Sequence, residues 1–189
     1  MSNLSKRNTT ILTIVLAVIM LATRGHHVAT LTHLPDASWA IFFMLGFYLR
    51  NRVLLPAFLA LAGLIDYVSI TQFGTSSYCV TSAYVFLLPA YSAMWLSGKW
   101  YAAHHRLHMS SLPMFAAAAT VGTTLCELIS SGSFYFLGGR FVETSLSGFA
   151  SRLVQYFPGD LASVAMYLGL GALIHVLVVS MRPISAANQ

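Results

Sequence analysis

Six long apolar segments make up most of this chain, and they restrict its fold more than any other feature. The segments lie at residues 9–23, 38–49, 53–70, 79–96, 113–129 and 161–181. An α-helix needs roughly 20 apolar residues to cross a hydrocarbon core about 30 Å thick, and fewer suffice where flanking groups reach the interface. We therefore predict an all-α integral membrane protein with six transmembrane helices, the second of them short.

The composition argues against a water-soluble fold. Of the 189 residues, 57% are hydrophobic and 8% are charged, whereas an average soluble domain is about 25% charged. The six segments leave no room for a separate soluble module, so we predict a single transmembrane domain over residues 1–189. The ten Lys and Arg residues are scattered between the apolar segments, and the net charge therefore does not indicate nucleic-acid binding.

The distribution of positive charge predicts the orientation, because Lys and Arg remain on the cytoplasmic side of a membrane. With the N-terminus inside, seven basic residues are cytoplasmic and three are external. The cytoplasmic residues are Lys6, Arg7, Arg50, Arg52, Lys99, Arg106 and Arg182, and the external ones are Arg24, Arg140 and Arg152. Both termini are then cytoplasmic, and all five acidic residues fall in outer loops or in the outer parts of helices.

Two acidic residues lie inside predicted helices. Asp66 follows Arg52 by 14 residues, which places it roughly 20 Å along the third helix. Glu127 lies at a similar depth in the fifth. An ionisable group at such a depth costs several kcal/mol unless it is paired or hydrated. The candidate partners of Asp66 are Arg152 and Arg140. A pair between Asp66 and Arg152 would either take part in ligand binding or act only as a structural clamp.

Cys79 lies where the polar stretch 71–78 meets the fourth apolar segment. At a helix N-terminus the macrodipole favours the thiolate, which is the nucleophilic and metal-binding form of cysteine. The alternative is an ordinary small apolar side chain, an interpretation that suits Cys126 in the fifth segment better. Tyr84 follows Cys79 by about one and a half helical turns, and we expect its hydroxyl to enter an outer cavity.

The outer histidines and the missing motifs leave several functions open. His26 and His27 directly follow the first helix and could reach a ligand at the outer face, although loop histidines are commonly just solvated. The chain has no G-x-S-x-G, H-E-x-x-H, Walker A or C-x-x-C motif, so common enzyme and ATPase signatures fail. One alternative is a membrane enzyme whose Cys79 thiol is assisted by His27 or Asp66. Another is a haem-anchoring subunit, which would need histidines deep in two helices; only His175 lies within a predicted helix, which argues against it.

The run Ser77-Tyr-Cys-Val-Thr-Ser-Ala-Tyr-Val-Phe-Leu-Leu-Pro-Ala-Tyr91, with Arg24-Gly-His-His27 after the first helix, resembles the BtuM family of bacterial cobalamin transporters. That family is similar to the substrate-binding S-components of energy-coupling factor (ECF) transporters. The resemblance covers essentially the whole chain, but it rests mainly on the segment around Cys79. It implies an S-component-like bundle in the bacterial cytoplasmic (inner) membrane that receives cobalamin, vitamin B12, from the periplasm.

The resemblance also implies a site. Cys79 matches the family's cysteine and would be an axial ligand to the cobalt of cobalamin. Asp66, Tyr84 and Arg152 are the expected polar contacts, and His27, with His26 beside it, is a further candidate for a second axial or edge contact. The thiolate would also help to remove an upper ligand such as cyanide, which makes decyanation a hypothesis.

One departure from the pattern concerns the partner. Many S-components carry an Ala-x-x-x-Ala surface on the first helix for docking to the ECF energising module. Here the nearest match is Thr13-x-x-x-Ala17. The sequence therefore leaves open whether this chain uses an ECF module or works alone.

Overall fold

The computed structural model describes residues 5–24, 34–49, 51–106 and 108–180, and the regular structure within these ranges is helical. The α-helices of the described residues are α1 (Lys6–Arg24), α2 (Ser38–Tyr48), α3 (Leu54–Phe73), α4 (Leu87–His104), α5 (Leu112–Leu137) and α6 (Leu146–Ser180). Short 3-10 turns at Ser77–Cys79, Ser82–Phe86 and Met109–Ser111 lie in the connections on either side of α4.

Four of the helices are long and apolar enough to cross a membrane. They are α1, α3, α5 with the turn before it, and α6. The prediction of an α-helical, multi-pass membrane protein is confirmed at this level. Helix α2 differs from them, because its 11 residues span only about 16 Å, roughly half the thickness of the hydrocarbon core.

Helix α2 forms the centre of the bundle. Five of its apolar side chains are between 0 and 1% exposed, namely Ala40, Ile41, Phe42, Phe43 and Leu45. It packs mainly on α4, and glycines bring the two backbones together, since a Cβ on Gly98 would collide with the carbonyl oxygen of Phe43. A helix that is apolar on every face belongs inside a bundle. Burial among the other helices therefore accounts for an apolar helix that is too short to span a membrane.

The outer helices expose apolar side chains, as a lipid-facing surface requires. On α1, for example, Ile14 and Val18 are 57% and 56% exposed. In water such faces would favour association with other molecules. In a bilayer they contact hydrocarbon chains, which are as apolar as the side chains themselves.

We refer to the two ends of the bundle by a residue at each. The Cys79 end contains the last turns of α1, α3 and α5 and the first turns of α2, α4 and α6. The His105 end is the opposite one. Contacts between elements define the Cys79 end: the hydroxyl of Ser82 donates to the carbonyl oxygen of Leu137 at 3.1 Å.

Helix α4 begins at Leu87, eight residues later than predicted. The two preceding 3-10 turns are capped by side chains: Ser76 accepts a hydrogen bond from the backbone N–H of Tyr78, and Thr81 accepts one from that of Ala83. Ser and Thr offer the backbone such local alternatives to an α-helix. The predicted helix N-terminus at Cys79 is therefore wrong, and the residue lies in a 3-10 turn.

Helix α6 begins at Leu146, whereas the predicted sixth segment begins at 161. The Gly, Ser and Pro content of 138–160 is typical of a loop, but Phe149 stacks on Tyr135 with a centroid distance of 5.7 Å, and this packing stabilises the first turns of α6. Pro158 lies within the helix, where it removes one backbone hydrogen bond without ending the helix. The loop interpretation is thus wrong for 146–160.

Candidate functional site

A buried arginine organises the Cys79 end of the bundle. Arg24, the last residue of α1, is 4% exposed. Its Nε and Nη2 donate to Oδ1 and Oδ2 of Asp66, each at 2.8 Å. Its Nη1 donates to the hydroxyls of Ser38 on α2 and Tyr91 on α4, also at 2.8 Å. One guanidinium therefore connects four helices, using the rigid fork of donors that only Arg provides.

Tyr84 and Asp36 complete this network. The Tyr84 hydroxyl donates to Oδ2 of Asp66 at 2.6 Å. Asp36 lies 3.6 Å from Nη1 of Arg24, and its Oδ1 accepts from the backbone N–H and the hydroxyl of Ser38 at 2.9 and 2.6 Å. We call Arg24, Ser38, Asp66, Tyr84 and Tyr91, together with Asp36, the Arg24 network. Its two carboxylates outnumber its one guanidinium, so it carries a net negative charge when ionised.

The network corrects one expectation and brings together two predicted site residues. Asp66 and Tyr84 are in direct contact through a hydrogen bond. The cation that neutralises Asp66 is Arg24, however, and not Arg152 or Arg140. Arg24 can reach Asp66 because α1 and α3 are neighbours in the bundle, a relationship that the sequence does not contain.

Arg152 lies on α6 and is surrounded by aromatic rings. Its guanidinium carbon is 4.7 Å from the ring centroid of Phe141, 5.3 Å from that of Tyr156 and 5.9 Å from that of Tyr135. Cation–π contacts of this kind hold a guanidinium while leaving its N–H groups available for other acceptors.

Beside Arg152 lies a cavity of about 750 Å³ between α5, α6 and the start of α2, which we call the Arg152 cavity. Its polar lining includes Asp36, Glu127, Ser131, Arg152, Gln155 and Asp160. Glu127, the second acid predicted to lie deep in a helix, is 3% exposed and borders this cavity. The lining combines hydrogen-bond donors, acceptors and aromatic side chains, and the volume of the cavity is in the range that binds drug-sized molecules.

Cys79 is exposed at the same end of the molecule. The 3-10 turn that carries it is tied to the α5–α6 connection by Arg140, whose Nε donates to the carbonyl oxygen of Tyr78 at 3.0 Å and whose guanidinium carbon lies 4.9 Å from the Tyr78 ring centroid. The Tyr78 ring also contacts Phe134 at 5.7 Å, and Phe134 lines the Arg152 cavity. Cys79 itself does not line the Arg152 cavity.

The electrostatics of Cys79 differ from the prediction. Without an α-helix N-terminus at this position, no macrodipole favours the thiolate. Partial desolvation of the sulfur raises the pKa of the Cys79 thiol; the positive charge of Arg140 opposes this rise and the negative charge of Asp66 adds to it. The resting side chain at neutral pH is therefore the thiol, and a ligand must displace its proton to bind the sulfur.

The remaining expectations concern metals and histidines. His26 and His27 lie outside the described residues. Among the described ranges, no group of three or more His, Cys, Asp and Glu side chains could hold a metal ion. A metal bound at Cys79 by the described part of the chain would therefore take most of its ligands from another molecule.

Sequence reasoning missed Arg24, Ser38 and Tyr91 as members of the site. The sequence does contain a signal for Arg24, because this residue directly ends an apolar helix. A buried cation needs a carboxylate partner. Within the predicted helices, the candidate carboxylates are Asp66 and Glu127. Choosing between these two carboxylates requires the packing order of the helices.

Comparison with models of known protein families finds no matching family, and comparison with curated proteins finds no significant match. The fold and the site therefore define the class of this protein by themselves. It is an α-helical, multi-pass membrane protein with an ion-paired polar network and an exposed thiol at one end of its bundle.

Proposed function

We propose that this protein binds cobalamin at the Cys79 end and takes part in its uptake across the bacterial cytoplasmic membrane, as the resemblance to the BtuM family implies. In this proposal all six helices span or enter the membrane, both termini are cytoplasmic and the Cys79 end faces the periplasm. The cobalt of the corrinoid is bound axially by the Cys79 sulfur.

The observation that carries the proposal is the position of Cys79. Its side chain is exposed and lies at the end of the bundle that holds the Arg24 network and the Arg152 cavity. A corrin ring supplies four equatorial nitrogens to its cobalt, so a single protein ligand is sufficient. The lack of a multi-residue metal site among the described residues is therefore compatible with this cargo.

The raised pKa of the Cys79 thiol is also compatible with cobalt binding. A bound metal ion deprotonates a coordinating thiol outright, so the sulfur need not be ionised beforehand. With cyanocobalamin, a cobalt–sulfur bond forms, the cobalt–cyanide bond breaks, and the thiol proton leaves with cyanide as HCN. No electron is transferred, and this ligand exchange constitutes the proposed decyanation.

The surroundings suit the periphery of a corrinoid, which carries amide side chains. The Arg152 cavity offers hydrogen-bond donors and acceptors, among them Ser131, Arg152 and Gln155. A corrinoid is larger than the drug-sized molecules that cavities of this volume enclose, so we place only one edge of the ring system there. The hydrogen bond between Tyr84 and Asp66 would help to position the segment that carries Cys79.

The proposal includes an ECF energising module as a candidate partner. The chain has no Walker A motif, so an ECF energising module would supply ATP hydrolysis if transport is driven. The exposed apolar face of α1, which includes Ile14 and Val18, is available for contact with lipid or with such a module.

The alternative of a thiol-dependent membrane enzyme is less well supported. It needs a base within hydrogen-bond reach of the Cys79 sulfur. Both carboxylate oxygens of Asp66 are already engaged by Arg24 and Tyr84, which leaves Asp66 poorly placed for that role.

The test is the colour of the protein purified from cells supplied with cyanocobalamin. We expect a corrinoid absorption spectrum that shifts in Cys79→Ala, because the axial ligand changes, while Cys126→Ala keeps the spectrum of the wild type. Cys126 is 0% exposed on α5 and controls for loss of a thiol in general. Release of HCN should accompany binding and disappear in Cys79→Ser. A colourless preparation, or a spectrum identical in the two alanine variants, would overturn the proposal.

A further inference from the structure

A second cavity lies at the opposite end of the molecule. It measures about 620 Å³ and is enclosed by α2, α4, α5 and α6. Its walls are mainly aromatic and aliphatic and include Phe43, Phe47, Tyr101, Phe115 and Leu168. We call it the His105 cavity. Nothing in the proposed binding of cobalamin uses it.

The polar side chains inside this cavity form two tyrosine–histidine pairs. The hydroxyl of Tyr48 lies 3.0 Å from Nδ1 of His175, and the hydroxyl of Tyr101 lies 2.8 Å from Nδ1 of His105. The two imidazole rings are 5.7 Å apart between centroids. These pairs satisfy much of the polar lining, so the interior offers mostly apolar surface and suits the apolar part of a ligand.

The mouth of the cavity is formed by the connection between α4 and α5, which contributes Arg106, His108 and Ser111. Among the described residues at the mouth, Arg106 carries a fixed positive charge, whereas burial and the neighbouring His175 lower the pKa of His105. All five acidic residues of the chain belong to the other half of the molecule. An anion at the mouth would therefore meet attraction without a competing carboxylate side chain from the described residues.

From this combination we infer that the His105 cavity binds an anionic phospholipid, with an acyl chain against the aromatic walls and the phosphate beside Arg106. The cavity reaches the ends of α2, α4 and α6, where helices that cross a membrane would meet the lipid headgroups and upper acyl chains. Basic pockets between transmembrane helices bind anionic headgroups in this way. A soluble anion would have no use for the apolar walls, and a neutral lipid would have no use for Arg106. The inference does not depend on the proposed transport of cobalamin.

The test uses the full chain, purified in detergent and incubated with equal amounts of phosphatidylglycerol and phosphatidylcholine of identical acyl chains. Native mass spectrometry then counts the bound lipids. We expect about fivefold more bound phosphatidylglycerol, which is the effect of one basic residue near an anionic lipid. Arg106→Gln should remove this preference. The matched control Arg52→Gln changes an exposed arginine at the same end, outside the cavity, and should preserve it.

A second variant tests the cavity itself. A side chain added at Gly171, which lines the cavity, would first meet the flexible end of Met44, whose sulfur lies 3.2 Å from the new Cβ. Gly171→Phe should therefore fill the cavity and reduce binding of both lipids. Equal binding of the two lipids by the wild type, or a preference that Arg106→Gln leaves unchanged, would overturn the inference. So would displacement of the lipid by millimolar inorganic phosphate, or a dimer that Gly171→Phe converts to a monomer.

Discussion

The guanidinium of Arg24 binds both carboxylate oxygens of Asp66, with N–O distances of 2.8 Å. Because both side chains are buried, each charge depends on the other. The pair joins the end of α1 to the middle of α3, and its neighbours Ser38 and Tyr91 extend the connection to α2 and α4. One guanidinium therefore connects α1, α2, α3 and α4 at the Cys79 end.

We expect Arg24→Gln and Asp66→Asn each to destabilise the protein by about 3–5 kcal/mol, because each leaves a buried charge without its partner. The measurement is unfolding in detergent by denaturant or heat. The double variant should lose clearly less than the sum of the two single losses, since neighbouring residues couple. Arg7→Gln, at the exposed start of α1, is the control and should change stability little. Strictly additive losses in the double variant would contradict the pairing.

The hydroxyl of Tyr84 should contribute separately. Tyr84→Phe removes its hydrogen bond to Asp66 and should cost about 1.5–3 kcal/mol, the usual range for a bond to a charged group. The matched control is Tyr67→Phe. It also removes a tyrosine hydroxyl, but from a residue of α3 that is 66% exposed. Equal stabilities of the two variants would show that the Tyr84 hydroxyl is not engaged.

The contact between α2 and α4 should be intolerant of any side chain at Gly98. The Cβ in Gly98→Ala would collide with the backbone of Phe43, and backbone cannot move as a flexible side chain does. We expect a loss of about 1–3 kcal/mol from overpacking, measured by the same unfolding assay. Gly63→Ala is the control, because a Cβ at Gly63 meets nothing within 4 Å and alanine favours the helix. A tolerant Gly98→Ala would mean that α2 and α4 pack less closely than described.

The reactivity of Cys79 should depend steeply on pH. Because the pKa of the Cys79 thiol is raised above its usual value of 9.0, the thiol is protonated at pH 7, and alkylation by iodoacetamide should accelerate about tenfold per pH unit between pH 7 and pH 9. Arg140→Gln removes the charge that lowers this pKa and should move the midpoint higher still. Mass spectrometry of the labelled peptide gives the rates, and the buried Cys126 serves as an internal control. A midpoint below that of a free cysteine would contradict the raised pKa.

Much of the fold follows from the apolar pattern of the chain. Segment lengths and the near absence of charge within them predict membrane helices, and α1 and α3 lie within a few residues of the predicted ranges. The boundaries around α4 and α6 do not follow from the pattern. Ser76 and Thr81 cap local turns that shorten one helix, and the packing of Phe149 on Tyr135 extends the other. At α4 the cause is a local capping preference that the apolar pattern does not register, whereas at α6 a tertiary contact outweighs the loop preference of the residues.

The candidate site divides in the same way. Depth along a helix was enough to single out Asp66 and Glu127, because burying a carboxylate in an apolar segment requires a reason wherever the helix packs. The choice of Arg24 as partner of Asp66 depended on which helices are neighbours, and only the tertiary structure decides that. The same holds for the thiol of Cys79: the residue type determined its chemistry, while the turn that carries it decided its exposure and its pKa.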